Sequence, residues 1–504
     1  MTVPSAAPDA PLAEKIAAAR VVQCAWAALP FSDRAGYLQK SFRYLAAHID
    51  ETAAAICREN GKLPLDALIA EVIPALMGID YYLRAGKRFC KSRPVSGGNP
   101  LMFNKKSRLV YQPWGIIGII SPWNYPFAIP FSEVVMALLA GNAVFLKIAS
   151  VTPGVGRALE AVFAAAELPR GLFNLIELPG AQAGPAFISL GVDKLFFTGS
   201  TATGQELMAL AAPRLVPLVL ELGGADAAIV CADADIERAA RGILWAAFSN
   251  AGQSCGGVQR ILVNRKIYAP FLETITALVK SLRPGHDLGP MTTLRQKETV
   301  ERQAAACLAS GAEIAAQSPR AELGDPRFFP ATLLVNVTPE MPIMTEEVFG
   351  PVAAVIPVDN DSDALRAANA SPYSLTGSIW SRSLDRARRL APALNAGSVM
   401  INDHLMSHGL AETPWGGFGR SGLGKTHGEA GFREMQKLKV VIDDTLPGAR
   451  GNPWWYPYTE HVERGMRAIA ELSRGAGFPR RLTAFFAAAR FFLRYWEKRD
   501  GRGT

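Results

Sequence analysis

No two of the chain's six cysteines stand in Cys-x-x-Cys spacing. Scattered over 504 residues as Cys24, Cys57, Cys90, Cys231, Cys255 and Cys307, they suggest neither a disulfide framework nor a zinc site. That pattern fits a reducing, cytoplasmic setting with most of the thiols inert in the core. A membrane span needs ~20 charge-poor residues, and no stretch offers them in a plausible context. The most apolar run, residues 111–146, is broken by Gly115, Gly118, Pro122, Pro126, Pro130 and Gly141, and reads as buried strand, loop and helix. The first twelve residues lack a basic segment followed by an apolar one, so no secretory leader is expected. Charged residues are only 19% of the chain, and the net charge of +8 is unevenly placed. From Arg450 onward there are eleven basic and five acidic residues, which leaves +6 in the tail and about +2 in the body. The body is therefore not a nucleic-acid binder.

What the chain does have is apolar mass, 49% of its residues, enough for two or three domains. Residues from about 11 to 91 carry apolar side chains at helical spacing, among them Ile16, Val22, Leu38, Phe42, Leu45 and Ile49. From Leu109 the pattern changes to short apolar strands alternating with helical segments. Parallel βαβ units and a doubly wound α/β fold follow from that alternation. A run such as Ile116, Ile117, Ile119, Ile120 has no polar alternation because both faces of a parallel sheet are covered. A second α/β series runs from Ala227 to about Ser398.

Three residues invite a chemical reading. Cys255 is hemmed by Gly252, Gly256 and Gly257, a setting that predicts an accessible thiol; the alternative is a core thiol. Glu221 closes an apolar run just before two glycines, where burial would raise its pKa toward that of a general base. A cap or a loop ion pair is the plainer use of such a carboxylate. Asn124 follows a buried strand, between Trp123 and Tyr125, and its amide could donate to an oxyanion; a turn asparagine is the alternative.

Taken in order, the blocks 113–127, 197–204, 221–224, 252–255, 346–351 and 414–424 resemble the aldehyde dehydrogenase superfamily, over roughly residues 10–445. The resemblance implies a Rossmann-type cofactor domain (1–98, 112–222 and 399–432), an α/β catalytic domain (223–398) and bridging strands (99–111 and 433–446). It implies oxidation of an aldehyde to an acid with NAD or NADP. Cys255 would form a thioester, Asn124 and the Cys255 N–H would hold the oxyanion, and Glu221 would activate water. No metal is implied. The Gly-x-Gly-x-x-Gly loop expected after an early strand of a dinucleotide fold is absent; instead Gly199 and Gly204 bracket four residues before a helix, at whose N-terminus Ser200 could meet a phosphate. Lys147 resembles the family's adenosine-ribose lysine, and Glu347 its nicotinamide-ribose carboxylate, with Phe349, Trp123 and Leu222 alongside. Three positions after Lys147 the family often has Glu, which repels a 2′-phosphate; Ser150 stands here and should admit NADP. The family often has Lys after the second glycine of the Glu221 block, where this chain has Ala225.

Aromatic residues Trp123, Tyr125, Phe127 and Trp415 suggest an apolar tunnel for a medium, long or aromatic aldehyde, with His404 and His408 either at its entrance or purely structural. The extension 447–504 carries Leu482, Phe485, Phe486, Ala489, Phe492 and Leu493 at helical spacing, interleaved with Arg481, Arg490, Arg494 and Lys498. This basic amphipathic helix either docks peripherally on an anionic membrane or packs over a partner subunit or the substrate mouth. A homodimer or homotetramer is expected from the bridging strands. Acyl transfer to coenzyme A instead of water, or a non-enzymatic role on the same scaffold, are the rival readings.

Overall fold

The computed structural model describes residues 10–96, 102, 104–320, 324–446, 452, 454–473, 485–488 and 490–491. By its contacts the chain divides into two units, residues 1–91 with 111–438, and residues 92–110 with 439–504.

The first unit opens with helices Ala10–Ala28, Phe31–Ala47, Ile49–Asn60 and Ile73–Cys90, as their apolar spacing predicts. Pro64–Ala67 and a π-helical turn, Leu68–Val72, lead into the last of these. Two sheets follow. One has six strands in the order Gly422–Leu423, Leu218–Glu221, Lys194–Thr198, Ile116–Ile120, Ala143–Lys147, Phe173–Leu175. Its strands are parallel except for the antiparallel edge at Gly422–Leu423. The other has seven, in the order Glu313–Gln317, Thr332–Val335, Val352–Val358, Val258–Asn264, Asp226–Val230, Thr376–Trp380, Ser398–Ile401. Only its first pair is antiparallel. Both doubly wound series read from the sequence are therefore present, and the antiparallel edges are additions to them.

Ile116–Ile120 and Ala143–Lys147 are buried at every position, which is why they lack alternation. Helix Ala128–Ala140 is buried along its whole length, carrying even Glu133 into the core. At roughly 25 cal/mol per Å², burying each large apolar side chain there contributes about 2 kcal/mol, whereas burying Glu133 costs free energy.

A three-stranded sheet pairs Arg93–Val95, Lys105–Pro113 and Gln436–Asp444; strands were expected near 99–111 and 433–446, and Arg93–Val95 was not expected. Beyond it, helix Glu460–Ser473 was not anticipated. Phe491 packs its ring against Gly465 and His461, Ala488 is also buried, and Phe485, Phe486 and Arg490 are exposed. Leu482, Ala489, Phe492, Leu493, Arg481, Arg494 and Lys498 lie outside the described residues. Among the described residues no helix is long and apolar enough to cross a membrane, and no cluster of His, Cys, Asp and Glu could hold a metal ion.

Candidate active site

Asn124 sits in the tight passage between strand Ile116–Ile120 and helix Ala128–Ala140, and is 3% exposed. Its Nδ2 donates to the Gln253 carbonyl at 3.2 Å. Asn250 Nδ2 donates to that same carbonyl at 3.1 Å and to the Asn124 carbonyl at 3.0 Å. An amide has two N–H donors, so one of Asn124's remains available, while the other holds the carbonyl of Gln253, two residues before Cys255 in sequence.

Cys255 follows the short turn Ser249–Gly252, in which Asn250 and Ala251 are held at φ of 54° and 52°. Left-handed backbone at non-glycine residues costs free energy and collects at functional sites; Phe349, Leu405 and His427 also have positive φ. The flanking glycines are also required by close approach of neighbouring groups. A Cβ at Gly252 would lie 2.2 Å from the Gly350 carbonyl oxygen, and one at Gly256 would lie 2.8 Å from the Trp415 ring. They are needed because backbone and indole approach so closely. Cys255 is half-buried in the wall of an apolar pocket of about 710 Å³, mouth included. Burial drives its thiol pKa well upward, and the carboxylates of Glu347, Glu221 and Asp226 add to the shift. A backbone hydrogen bond from Gly256 opposes them only in part, so the resting sulfur carries its proton.

Glu221 ends strand Leu218–Glu221 and is 5% exposed. Neither of its carboxylate oxygens has a hydrogen-bond partner of normal geometry. Burial raises its pKa well above the usual range, Glu133 raises it further, and Lys425 and Thr426 pull it partly back. Burial alone pushes Glu133 up to about 8. Glu347 presses on Gly223, where a Cβ would lie 2.3 Å from its Oε2, and its Oε1 accepts the Gly224 N–H at 3.1 Å. Burial lifts Glu347 to about 8.

The carboxyl ends of the six-stranded sheet form the crevice where open α/β sheets bind ligands. Lys147 ends its strand beside Gly180, Ser150 is exposed three residues on, and Gly199 starts the turn into helix Thr201–Ala211. Ser200 caps that helix, its hydroxyl accepting the Thr203 N–H at 3.3 Å, and leaves the helix N-terminus toward solvent. The buried hydroxyls of Ser121 and Thr198, at two adjacent strand ends, lack hydrogen-bond partners. An anion-binding helix start, a lysine and orphaned hydroxyls along one sheet edge are the donor set a dinucleotide needs. Trp123 and Phe349 meet edge to face, ring centroids 5.4 Å apart. Leu222 turns its side chain inward, against Gly204, where a Cβ would come within 2.7 Å of it.

Two expectations about the pocket need correction. Tyr125 and Trp415 line it, with Ile69, Trp245, Leu405 and Met406. Phe127 does not; it is sealed in the core and stacked on Phe131, because the helix it begins faces inward. Trp123 is turned to Phe349 and away from the pocket wall. The two histidines part company. His408 lines the pocket, and burial lowers its pKa to about 4, so it is neutral. His404 is structural, its Nε2 lying 2.9 Å from the Gly256 carbonyl. Asn60, Lys62, Glu71, Asn250 and Gln253, which surround Asn124, were not singled out in the sequence; their only signal is polarity at positions the structure buries.

The aldehyde dehydrogenase family model matches residues 1–441. Similar proteins include the 4,4'-diapolycopene aldehyde oxidase of Methylomonas sp, 35% identical over 86% of this chain and 82% of that protein. A putative succinate-semialdehyde dehydrogenase [NADP(+)] of Mycolicibacterium smegmatis is 34% identical over 92% of this chain and 90% of its own length. Among solved structures, betaine aldehyde dehydrogenase from Staphylococcus aureus in complex with NAD+ superposes with a TM-score of 0.82 at 28% identity, covering 88% of this chain and 89% of that one. With the fold, the sheet-edge crevice and the pocket thiol in agreement with these matches, the chain belongs to the aldehyde dehydrogenase family and is an NAD(P)-dependent enzyme that oxidises an aldehyde to a carboxylic acid.

Proposed function

We propose that Cys255 is the nucleophile, Asn124 the oxyanion donor and Glu221 the base of a hydrolytic aldehyde oxidation. The observation that carries this is convergence. The Asn124 amide is bonded to the segment that leads into Cys255, and an unpaired buried carboxylate, Glu221, is near enough to raise the thiol's pKa.

The thiol proton passes to the Glu221 carboxylate, and the sulfur attacks the aldehyde carbon. The carbonyl electron pair moves to oxygen, where Asn124 Nδ2 and the Cys255 N–H stabilise it. NAD or NADP, when bound, accepts the hydride that this carbon gives up, and a thioester on Cys255 remains. Glu221, its proton released to solvent, takes one from water. The hydroxide oxygen bonds to the thioester carbon and the carbon–sulfur bond breaks. A base poised beside the sulfur favours water over coenzyme A as acceptor. Lys147, Ser150, Gly199, Ser200 and Gly204 would hold the adenosine and phosphate end of the cofactor, and Glu347, Phe349, Trp123 and Leu222 the nicotinamide end. The six-stranded sheet (with 1–98, 112–222 and 399–432) would be the cofactor domain, and residues 223–398 the catalytic one.

The apolar pocket wall supports a neutral apolar aldehyde as the substrate. Among the described residues, Asp66 is the one charged residue lining it. A carboxylate-bearing semialdehyde, such as the substrate in the Mycolicibacterium relative's name, would find no cation there. Strand Gln436–Asp444 exposes Leu438, Val440 and Ile442 along one face, which supports a homo-oligomer through residues 99–111 and 433–446. The exposed Phe485, Phe486 and Arg490 favour a peripheral contact of the tail with anionic lipid as a second role.

The test is an aldehyde panel, C2 to C16 and aromatic, with NAD and NADP in buffer free of coenzyme A. Acid release, with rates rising toward longer or aromatic aldehydes, is expected. Flat rates would remove the apolar-pocket reading, and acid formation only with added coenzyme A would remove the role of Glu221. For the tail, liposome co-sedimentation equal with and without the residues after Gly451 would remove the lipid contact.

A further inference from the structure

A sealed polar network lies directly behind the Asn124 passage. Lys62 and Glu71 form an ion pair at 2.8 Å with both side chains fully buried. The contact is electrostatic and not an aligned hydrogen bond, since Glu71 Oε1 has no donor of normal geometry. The remaining hydrogen bonds of the pair go to the main chain and to Asn60. Lys62 Nζ donates to the Asn124 carbonyl and to Asn60 Oδ1, and lies 4.5 Å from the centre of the Tyr125 ring. Glu71 Oε2 accepts the N–H groups of Phe127 at 2.7 Å and Ala128 at 3.2 Å. Asn60 Nδ2 donates to the Trp123 carbonyl at 2.6 Å.

Side chains from residues 60–71 thus grip the main chain of residues 123–128 on both sides of Asn124. Glu71 lies in the π-helical turn Leu68–Val72, whose extra residue rotates the helix face. The same turn contributes Ile69 and Ala70 to the pocket wall. Burying two charges is costly, and an ion pair so placed is weak evidence for stability. Its contacts are spent on one loop, which argues for a positional role.

We propose that Lys62 and Glu71 are a positioning pair that fixes the Asn124 amide at the angle the oxyanion needs. This rests on the reading of Asn124 as an oxyanion donor. Neither residue touches substrate or cofactor; both act through the Asn124 backbone. A catalytic group displaced by about 1 Å loses on the order of 10² in rate.

The experiment is a double-mutant cycle on the full-length enzyme. Lys62→Met/Glu71→Gln removes both charges together and leaves no unpaired ion in the core. Glu71→Gln alone keeps the shape and an acceptor oxygen for Phe127 and Ala128, and serves if the double variant does not fold. Each is measured alone and with Asn124→Ala, using hexanal and NAD, with kcat, KM for NAD and NADH binding by fluorescence. The expected result is a fall in kcat of about 10²-fold for the double variant, less for Glu71→Gln, with NAD KM and NADH affinity unchanged. In the Asn124→Ala background the further loss should be under about threefold, because the group being positioned is gone. Losses that multiply independently would overturn the positioning role, as would wild-type kcat in Glu71→Gln. Full activity in Asn124→Ala alone would instead overturn the oxyanion reading on which the pair depends.

Discussion

Replacing Asn124 by alanine isolates one hydrogen bond from the surrounding architecture. The Gln253 carbonyl that Asn124 Nδ2 engages also accepts from Asn250 Nδ2 at 3.1 Å, so it stays satisfied. The Asn124 carbonyl, held by Lys62 and Asn250, is backbone and survives the substitution. The structural cost is then a single neutral hydrogen bond, about 1 kcal/mol, or a melting shift of a few degrees at most. Catalysis should suffer more. Loss of one oxyanion donor costs about 2.7–4 kcal/mol of transition-state stabilisation, or roughly 10²–10³ in kcat. The assay is steady-state kcat with hexanal, alongside the alkylation rate of Cys255 by iodoacetamide and the melting temperature. The expected protein is about as stable as wild type, with an equally reactive thiol and a kcat down by two to three orders of magnitude. A kcat within about threefold of wild type would refute the reasoning, as would a loss matched by collapse of thiol reactivity.

Other perturbations reach different parts of the site. Glu133 is pushed up to about 8 by burial, while an unfolded glutamate ionises near 4.5. The folded protein therefore holds a proton the unfolded chain has lost, and this stabilisation, full below about pH 4.5, disappears as pH rises toward 8. Glu133→Gln should flatten the decline in stability between pH 5 and 8, read by urea unfolding, a decline on the order of a few kcal/mol at pH 8. Because Glu133 also raises the Glu221 pKa, the same variant should move the acidic limb of the kcat–pH profile to lower pH; an unmoved limb would uncouple the two carboxyls. At Ser150, a glutamate would face the 2′-phosphate of NADP. At about 1 kcal/mol per charge pair in water, a doubly charged phosphate loses about 2 kcal/mol, so the NADP KM should rise about 30-fold with the NAD KM little changed. Equal changes for both cofactors would take Ser150 away from the ribose.

Much of this was legible in the sequence because apolar period and glycine placement are local signals. The run Ile116, Ile117, Gly118, Ile119, Ile120, without a polar residue, reads as a strand covered on both faces, and it is one. Gly199 and Gly204 marked a helix start, and Ser200 caps it. What escaped depends on pairing across sequence distance. Lys62 and Glu71 are charged residues with no local signal that both are fully buried. The glycines around Cys255 stood out locally, but the Gly350 carbonyl and the Trp415 ring that require them lie far along the chain. Phe127 was placed in the pocket by proximity to Asn124, but one step round the entry to helix Ala128–Ala140 turns its side chain into the core.

The central claim is that the acyl group rests on Cys255 and is released by water that Glu221 activates. Glu221→Gln removes the base and leaves the carbon–sulfur chemistry a path through solvent deprotonation of the thiol. Mixed with hexanal and NAD, quenched within seconds and weighed, this protein should carry one hexanoyl group, found on the peptide containing Cys255, with about one NADH formed per active site. Steady multiple turnover with no acylated protein, or an acyl group on a peptide other than that of Cys255, would contradict the account.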